Sequence, residues 1–392
     1  MNLVVLLSRV PWPLDKGDKL RAYHQIRELS KNYSIDLIAL NDQKIHPDTE
    51  VELLKYCRSI HIVKLPKWTI FWNIIKAFLS NKPLQIGYFY NSTAHRKVQS
   101  IISQVKPDHI YGQLVRVAEY IKDESTAKTL DFQDALSEGL RRRMDKVSGL
   151  KTMIFKMEYN RLRKYEASML SEFDHTTMIT TQDRDLIQSP RNTEITVVPN
   201  GVDMEFFHPM SSEKIYDVVF TGNMNYPPNV MAAKFLVNDI LPLIQKQKSQ
   251  VRLLIAGASP HPSVKALASE SVTVSGWLDD IRTAYASSKI FVAPMQIGTG
   301  LQNKLLEAMA MKIPSVCSDL ANTALAANAN TEIRVAEAQD AESFAKHIVE
   351  LLDDEEKAKI QAEVAYKFVL NNYSWKSSVD ILERVMIGDR EA

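Results

Sequence analysis

Residues 288–316 read SKIFVAPMQIGTGLQNKLLEAMAMKIPSV, and their pattern indicates the fold class of the chain. The β-branched and aromatic residues of Lys289–Ala293 predict a buried strand, which Pro294 ends. Apolar residues at helical spacing over Leu301–Met311 predict a helix, and Pro314 separates that helix from the next strand. Strand, turn, helix and strand in this order form a parallel βαβ crossover. The stretch therefore predicts an α/β fold.

The turn before this helix is rich in glycine and has the features of an anion site. Gly298 and Gly300 allow a ligand to approach the backbone, and the free N–H groups at a helix start favour a diphosphate. Glu307 lies on the same polar stripe as Lys304 and could accept hydrogen bonds from a ribose diol. The structural alternatives are a tight turn without a ligand, and an exposed pair between Glu307 and Lys304.

Two segments of the chain resemble a known family. GTGLQNKLLEAMAMKIPSV, residues 298–316, resembles the donor-site segment of retaining, family-4-type glycosyltransferases with the GT-B fold (glycosyl transferases group 1). VVPNGVDMEFFHP, residues 197–209, is similar to the interdomain segment of the same enzymes. In that family two glutamates with seven residues between them contact the donor sugar and the ribose. Glu307 matches the second glutamate, whereas Thr299 stands where the first is expected.

The resemblance implies two Rossmann-like doubly wound domains that face a central cleft. Residues 1–198 would bind the acceptor, residues 199–372 would bind the donor, and residues 373–392 would form a helix that crosses back to the first domain. The implied activity is a hexosyltransferase of polysaccharide biosynthesis. It would transfer a sugar, with retention, from a UDP- or GDP-sugar to a glycan, a lipid-linked acceptor or another hydroxyl acceptor. No metal and no cofactor besides the donor are implied.

The resemblance also implies which residues form the site. The implied donor contacts are Gly17, Gly222, Asn223, Asn225, Gly257, Trp277, Gly298, Gly300, Leu301 and Glu307, and the catalytic candidates are Lys304, Thr299 and Asp134. Many relatives place an Arg and a Lys after the first glycine of the donor domain, where this chain has Asn223 and Asn225. We therefore assign stabilisation of the departing diphosphate to Lys304 and to the backbone N–H groups of residues 298–301. Trp277 is expected to meet the base, with packing as its alternative role.

The first half alternates strands and helices. The predicted strands are Leu3–Leu7, Ile35–Leu40, Ile60–Leu65, His109–Gly112, Thr129–Phe132 and Thr176–Thr180, the last of this half. Asp18 is expected to cap the first helix, and Lys16 and Arg9 in the preceding loop could add positive charge near the diphosphate. Asp131 and Asp134 lie at the carboxyl end of the strand predicted over Thr129–Phe132 and are candidates for acceptor contact, while capping of the next helix is the alternative for Asp134.

The second half repeats the alternation. The predicted elements are strands Asp217–Thr221, Val251–Ala256 and Val272–Ser275, and helices Asp279–Tyr285, Ala341–Leu352 and Asp354–Leu370. Asn229 is expected to cap the helix that carries Phe235, Leu236 and Ile240. Tyr373–Trp375 would mark the return to the first domain.

Two segments raise the question of membrane contact. Trp68–Leu79, read WTIFWNIIKAFL, is strongly apolar but too short to cross a bilayer. We interpret it as a core helix, and the alternative is a surface that touches lipid. Basic residues are also frequent after Leu140, where a solvated helix face is the favoured interpretation and contact with anionic lipid the alternative.

Length and composition bound the function. A chain of 392 residues with 45% hydrophobic residues predicts two globular domains. A net charge of +1 argues against a nucleic-acid partner. Cys57 and Cys317 lie in apolar surroundings, which predicts reduced, buried thiols in a cytoplasmic protein, with a peripheral position at the inner face of the membrane as a further possibility.

Two other functions remain open from the sequence. A nicotinamide-dependent oxidoreductase would also alternate strand and helix, but Gly-x-Gly-x-x-Gly follows the first strand of neither half. A nucleotide-binding relative without transferase activity is suggested by Thr299 and by the uncharged Asn223 and Asn225.

Overall fold

The computed structural model describes residues 1–144, 149–297 and 300–388. The chain divides into two compact units. The first unit comprises residues 1–199 and the segment from Ser378 onward, and the second comprises residues 200–377. The chain thus passes from one unit to the other after Pro199 and again before Ser378.

The first unit is built on a seven-stranded parallel sheet with the order β3-β2-β1-β4-β5-β6-β7. Its strands are β1 Asn2–Leu7, β2 Ser34–Asn41, β3 Ser59–Lys64, β4 His109–Gln113, β5 Lys128–Gln133, β6 His175–Met178 and β7 Thr196–Val197. Its helices are α1 Gly17–Leu29, α2 Thr49–Leu53, α3 Lys67–Leu79, α4 Leu84–Phe89, α5 Ser92–Val105, α6 Leu136–Met144, α7 Leu150–Met169 and α8 Thr181–Leu186. Short 3₁₀ segments cover Val115–Tyr120 and Asn192–Glu194.

Alternate side chains of β1 support two cores on opposite faces of this sheet, as the period of a strand requires. Val4 and Leu6 belong to one apolar cluster, and Leu3, Val5 and Leu7 belong to the other. The second cluster also contains residues of the terminal helix, Val379, Leu382 and Met386. The terminal helix therefore contributes to the first unit's core.

A buried ion pair lies within the first unit. The Arg21 guanidinium is 2.7 Å from Asp131, and both side chains are fully buried. Asp131 also accepts hydrogen bonds from the Tyr111 hydroxyl at 3.0 Å and the Thr177 hydroxyl at 2.9 Å. Asp131 is thus occupied by the protein itself, and its prediction as an acceptor contact is wrong.

Two local predictions for the first unit are also wrong. Asp18 does not cap α1, because it pairs with Arg9 at 2.8 Å while Lys16 holds the capping position without a side-chain hydrogen bond. Thr176–Thr180 is not the last strand, because β7 pairs with β6 in parallel. Thr180 instead caps α8, accepting a hydrogen bond from the Asp183 N–H at 3.0 Å.

The prediction that Trp68–Leu79 forms a core helix is wrong in its packing. The helix forms as α3, but only Ile70 and Ala77 are buried. Trp68, Trp72 and Leu79 are among its exposed residues. Apolar residues occupy most sides of α3, so its sequence does not show which face the neighbouring elements cover.

The second unit is a six-stranded parallel sheet with the order β10-β9-β8-β11-β12-β13. Its strands are β8 Tyr216–Thr221, β9 Leu253–Ala256, β10 Val272–Gly276, β11 Ser288–Ala293, β12 Ser315–Ser318 and β13 Arg334–Ala336. Its helices are α9 Pro227–Phe235, α10 Leu241–Gln245, α11 Pro262–Lys265, α12 Arg282–Ala286, α13 Asn303–Ala310, α14 Asp319–Leu325, α15 Ala341–Asp353 and α16 Glu355–Asn372, and a π-helical turn covers Leu236–Ile240. The terminal helix α17, Trp375–Ile387, begins here and ends in the first unit. Counted within the unit, the strand order is 3-2-1-4-5-6, which places the topological switch between β8 and β11.

Gly201 and Val202 of the segment 197–209 meet the segment Tyr373–Trp375 at the end of the second unit. Val202 N–H donates to the Tyr373 carbonyl at 2.7 Å. A Cβ on Gly201 would lie 2.5 Å from the backbone nitrogen of Trp375. Only glycine therefore fits where these two backbones approach, which explains the Pro-Asn-Gly sequence there.

Three expectations for the second unit need correction. Asn229 does not cap α9, because Tyr226 occupies that position and Asn229 lies inside the helix. The helix predicted from Asp279 begins at Arg282. The strand β13 and the helix α14 were not predicted, because segments of three and seven residues show too little periodicity.

None of the helices in the described part of the chain combines the length and hydropathy that crossing a bilayer requires.

Candidate functional site

A cavity of about 500 Å³ lies in the second unit at the carboxyl ends of β8, β9 and β10. Gly222 follows β8, Gly257 follows β9, and α13 supplies Lys304 and Glu307. Ligands of doubly wound sheets bind at this edge, next to the topological switch. The position of the cavity therefore makes it the candidate ligand site of this unit.

Two glycines bring the loops after β8 and β9 together. Gly257 has a φ of +135°, and a Cβ there would lie 1.9 Å from the carbonyl oxygen of Gly222. Gly222 has a φ of +150°, and a Cβ there would lie 2.7 Å from Asn229 Nδ2. Both positions require glycine for conformation and for space. The backbone is consequently exposed to whatever occupies the cavity.

Lys304 is the cation on the cavity wall. Its Nζ donates to Asn229 Oδ1 at 2.6 Å and lies 5.0 Å from the centre of the Phe220 ring. Asn229 is held in turn by a hydrogen bond from its Nδ2 to the Asn223 carbonyl at 3.0 Å. Burial lowers the pKa of Lys304 to about 8, although the charge of Glu307 opposes that shift. A lysine with this pKa is still mainly protonated at pH 7.

Glu307 is oriented by a chain of hydroxyl groups. The Tyr285 hydroxyl donates to Glu307 Oε2 at 2.7 Å, and it lies 2.7 Å from the Thr221 hydroxyl, which then donates to it. Tyr285 is fully buried, so its ring cannot swing away. Burial raises the pKa of Glu307, while Tyr285 and Lys304 act against the rise. The Tyr285 hydroxyl therefore fixes the position of the carboxyl group, and it is the one donor to Oε2 among the described residues.

Aromatic side chains form the rim of the cavity. Trp277 is 73% exposed, and its indole N–H donates to Asp279 at 3.3 Å. Its exposure excludes the alternative role in packing. Phe206 is 42% exposed, and the guanidinium of Arg282 lies 4.1 Å from its ring centre. Two exposed rings at a cavity mouth offer flat surfaces for a planar ligand.

The glycine turn before α13 is described only in part. Gly298 and Thr299 lie outside the described residues, so their predicted contacts are not placed. Gly300 is exposed, and its carbonyl accepts a hydrogen bond from Gln302 at 2.9 Å. Leu301 lines the cavity, and α13 begins at Asn303 rather than at Leu301.

The structure gathers some of the predicted site residues and separates others. Gly222, Asn223, Gly257, Trp277, Leu301, Lys304 and Glu307 line the cavity. Asn225 and Gly300 are exposed and are not among its lining residues. Gly17 and Asp134 are exposed residues of the first unit, Gly17 at the start of α1 and Asp134 before α6.

Sequence reasoning missed three residues that shape the cavity. Tyr285 forms hydrogen bonds with Thr221 and Glu307, which are distant from it in sequence. No local sequence pattern therefore indicates the role of Tyr285. Asn229 was taken for a helix cap, although its side chain joins the glycine loop to Lys304. Phe206 lies within the quoted segment 197–209, and that match was the signal that could have identified it.

Comparison with known proteins agrees with this geometry. Residues 216–354 match a family model described as "Glycosyl transferases group 1". The chain is 23% identical over 401 residues to a Klebsiella pneumoniae protein described as "Uncharacterized 44.6 kDa protein in cps region", covering 96% of this chain and 97% of that protein.

Solved structures share the fold over nearly the whole chain. HepE of Anabaena in complex with UDP has a TM-score of 0.70 and 13% identity, over 99% of this chain and 100% of that one. Sucrose-phosphate synthase of Thermosynechococcus elongatus has a TM-score of 0.65 and 14% identity, over 98% of each chain. At such identities these structures establish the fold.

The predicted fold of two Rossmann-like domains with GT-B relatives is confirmed. The family match over the second unit, together with this fold, supports a glycosyltransferase of the GT-B type.

Proposed function

We propose that this protein transfers a hexosyl group from a nucleotide sugar to a hydroxyl acceptor with retention at the anomeric carbon. One observation carries the proposal. Lys304 and Glu307 project from one helix into a cavity at the switch point of a doubly wound sheet, within the part of the chain that matches group 1 glycosyltransferases.

The cavity offers a separate group of residues for the base, the ribose and the diphosphate of a nucleoside diphosphate. The exposed rings of Trp277 and Phe206 provide stacking surfaces for the base. Glu307, held by Tyr285, accepts hydrogen bonds from the ribose hydroxyls. Lys304 and the N–H groups at the start of α13 face the diphosphate.

The proposed chemistry requires neutralisation of the leaving group. The C1–O bond breaks with its electron pair moving to the diphosphate oxygen, and the acceptor oxygen bonds to C1 on the same face. The acceptor proton passes to a departing phosphate oxygen, so no reactant besides the donor and the acceptor is needed. The role of Lys304 is to stabilise the charge that develops on the diphosphate. No pair of flanking carboxylates of the kind used by hydrolases is needed.

Donor and acceptor can be proposed at the level of class. HepE is known in complexes with UDP and with UDP-glucose, which supports a UDP-sugar as donor here. The Klebsiella relative of the cps region supports a role in polysaccharide biosynthesis, with a glycan or lipid-linked acceptor. Thr299 and Asp134 stay predictions, Thr299 for the donor sugar and Asp134 for the acceptor. We also propose a cytoplasmic location, which the buried free thiols of Cys57 and Cys317 support.

A second candidate is a nucleotide-sugar-binding protein without transferase activity. Asn223 and Asn225 occupy the loop where relatives carry cations, and Thr299 replaces a glutamate. Under this alternative the protein would bind a nucleotide sugar but would not transfer its sugar, so no nucleoside diphosphate would be released.

A panel of nucleotide sugars tests both candidates. Purified protein is first screened by thermal denaturation, where a donor at 100 times its Kd adds about 2.7 kcal/mol to the free energy of unfolding. Donors that stabilise the protein are then assayed for release of the nucleoside diphosphate with glycan and lipid-linked acceptors. Stabilisation with turnover supports the transferase. Stabilisation without turnover supports the binding protein, and stabilisation by NAD(H) alone would contradict both.

A further inference from the structure

The helix α3 carries an apolar face that the fold does not use. Its outward side chains are large and exposed: Trp68 by 71%, Phe71 by 61%, Trp72 by 57%, Phe78 by 51% and Leu79 by 79%. Single exposed apolar residues are common on protein surfaces, but five on one helix of 13 residues form a contiguous patch.

The opposite face of α3 is already packed. Ile70 and Ala77 are its buried residues, and they lie on the side toward α4. A Cβ on Gly87 of α4 would be only 2.4 Å from Ala77 Cβ, so the two helices are in close contact. The exposed aromatic residues therefore contribute nothing to this packing, and their presence requires another explanation.

The charges around the patch are positive. With about 100° between successive residues of a helix, Lys67 and Lys76 fall at the two borders of the exposed apolar face. No acidic residue occurs between Pro66 and Lys82. Arg161 of α7 adds a further cation at the end of the helix, where its guanidinium lies 5.5 Å from the Phe78 ring centre and donates to Asn81 at 2.7 Å.

We infer that α3 is an interfacial helix that docks the protein on an anionic lipid surface. A helix of 13 residues is about 20 Å long, so it lies in the plane of the bilayer. Trp68, Phe71 and Trp72 insert at the level where headgroups meet acyl chains, the depth that aromatic rings prefer. Lys67 and Lys76 face the phosphates, with their aliphatic stems along the apolar surface.

The charge pattern favours lipid over a second copy of the chain. In a symmetric dimer through this patch, Lys67, Lys76 and Arg161 of both copies would be brought together without intervening acids from α3. An anionic bilayer neutralises the same charges and accepts the aromatic rings. The inference does not depend on glycosyl transfer.

Vesicle binding tests the inference directly. The full chain is mixed with vesicles of phosphatidylcholine alone, or with one third phosphatidylglycerol, and pelleted. We expect binding to the anionic vesicles that weakens as salt is raised. Trp68→Ser with Trp72→Ser should reduce the partition coefficient at least about tenfold, since two large apolar side chains leave the interface. Lys67→Glu with Lys76→Glu should reduce it by a similar factor.

Two controls separate lipid contact from general effects. Trp277→Ser removes an equally exposed tryptophan from the second unit and should leave vesicle binding unchanged. Thermal denaturation of the α3 variants should match that of the parent, because the substituted side chains are exposed. Failure to bind anionic vesicles would overturn the inference. Self-association of the parent, lost in the Trp68→Ser, Trp72→Ser variant, would replace it with a dimer interface.

Discussion

Each unit contains a lysine or arginine side chain close to a buried carboxylate. The two pairs differ in whether they reach a cavity. In the first unit Asp131 is surrounded by Arg21, Tyr111 and Thr177 and is fully buried. In the second unit Glu307 accepts a hydrogen bond from the Tyr285 hydroxyl, and Lys304 donates one to Asn229. The side chains of Lys304 and Glu307 both line a cavity. We call Arg21 and Asp131 the closed pair, because other protein groups surround them and they stabilise the fold. We call Lys304 and Glu307 the open pair, because they line a cavity that a ligand can enter.

The largest expected effect comes from breaking the closed pair. Arg21→Met leaves Asp131 buried without its cation, so the free energy of unfolding should fall by about 3–5 kcal/mol. Chemical denaturation measures the change. Arg191→Met is the matched control, because its partner Glu194 is exposed and the expected change is below about 1 kcal/mol. Equal effects of the two substitutions would remove the distinction between closed and exposed pairs.

The corresponding substitution at the open pair should affect activity and spare the fold. Lys304→Met removes the cation proposed to face the diphosphate, so kcat should fall by roughly 10² to 10³. The free energy of unfolding should change little, because burial already disfavours the charge of Lys304. Lys357→Met, at an exposed position of α16, should keep full activity. Full activity of Lys304→Met would assign leaving-group stabilisation elsewhere.

A third buried carboxylate is informative here, because it forms no ion pair among the described residues. Glu166 on α7 accepts the Ser137 N–H at 3.2 Å, and its Oε2 has no hydrogen-bond partner among the described residues. Burial raises its pKa to about 7. In the unfolded chain the proton is lost near pH 4.5, so the folded state binds more protons between these values, and stability falls as pH rises through that window.

Glu166→Gln should abolish the fall in stability that the parent shows as pH rises through this window. The variant is neutral at every pH, so its free energy of unfolding should exceed that of the parent by about 3 kcal/mol at pH 8. At pH 4.5 the two proteins should be nearly equal. Denaturation curves at both pH values measure the difference, and a parent that is more stable at pH 8 than the variant would show that Glu166 is ionised and paired.

Removing the carboxylate of the open pair should have a smaller effect. Glu307→Gln keeps the shape of the side chain but weakens its hydrogen bonds to a ribose diol, so nucleotide affinity should fall by about 1–2 kcal/mol. Isothermal titration with UDP measures it. Comparison with a 2′-deoxy nucleotide provides the control, since the substitution should matter less when the hydroxyl is missing. Unchanged UDP affinity would contradict the ribose assignment.

The open and closed pairs also show what the sequence could predict. Long strands such as β1 and β2 were predicted because a buried parallel strand is a nearly continuous run of apolar residues. β7 and β13 were missed because two or three residues carry no readable period. Lys304 and Glu307 were identified because helical spacing and a family motif lie within one short segment.

Contacts between distant segments could not be predicted. The pairing of Arg21 with Asp131 joins residues 110 positions apart, and Asp131 by itself had the signature of a cleft residue. The outward face of α3 depends on its packing against α4, which no pattern within α3 reveals. The wrong predictions therefore concerned the partner that a side chain contacts more often than the secondary structure in which the residue lies.

The smallest expected effect concerns the pH dependence of the open pair. Lys304 has a pKa lowered to about 8 by burial, so the free protein loses this cation as pH rises through that value. Between pH 7 and 8.5 the protonated fraction falls about fourfold, and kcat/KM, which reports the free enzyme, should fall by the same factor. In Lys304→Met this limb should be absent, whereas an unchanged alkaline limb in the variant would attribute the titration to another group. The Arg21–Asp131 pair is fully buried, whereas Lys304 lines the cavity, so the protonation of Lys304 is linked to the binding of a ligand there.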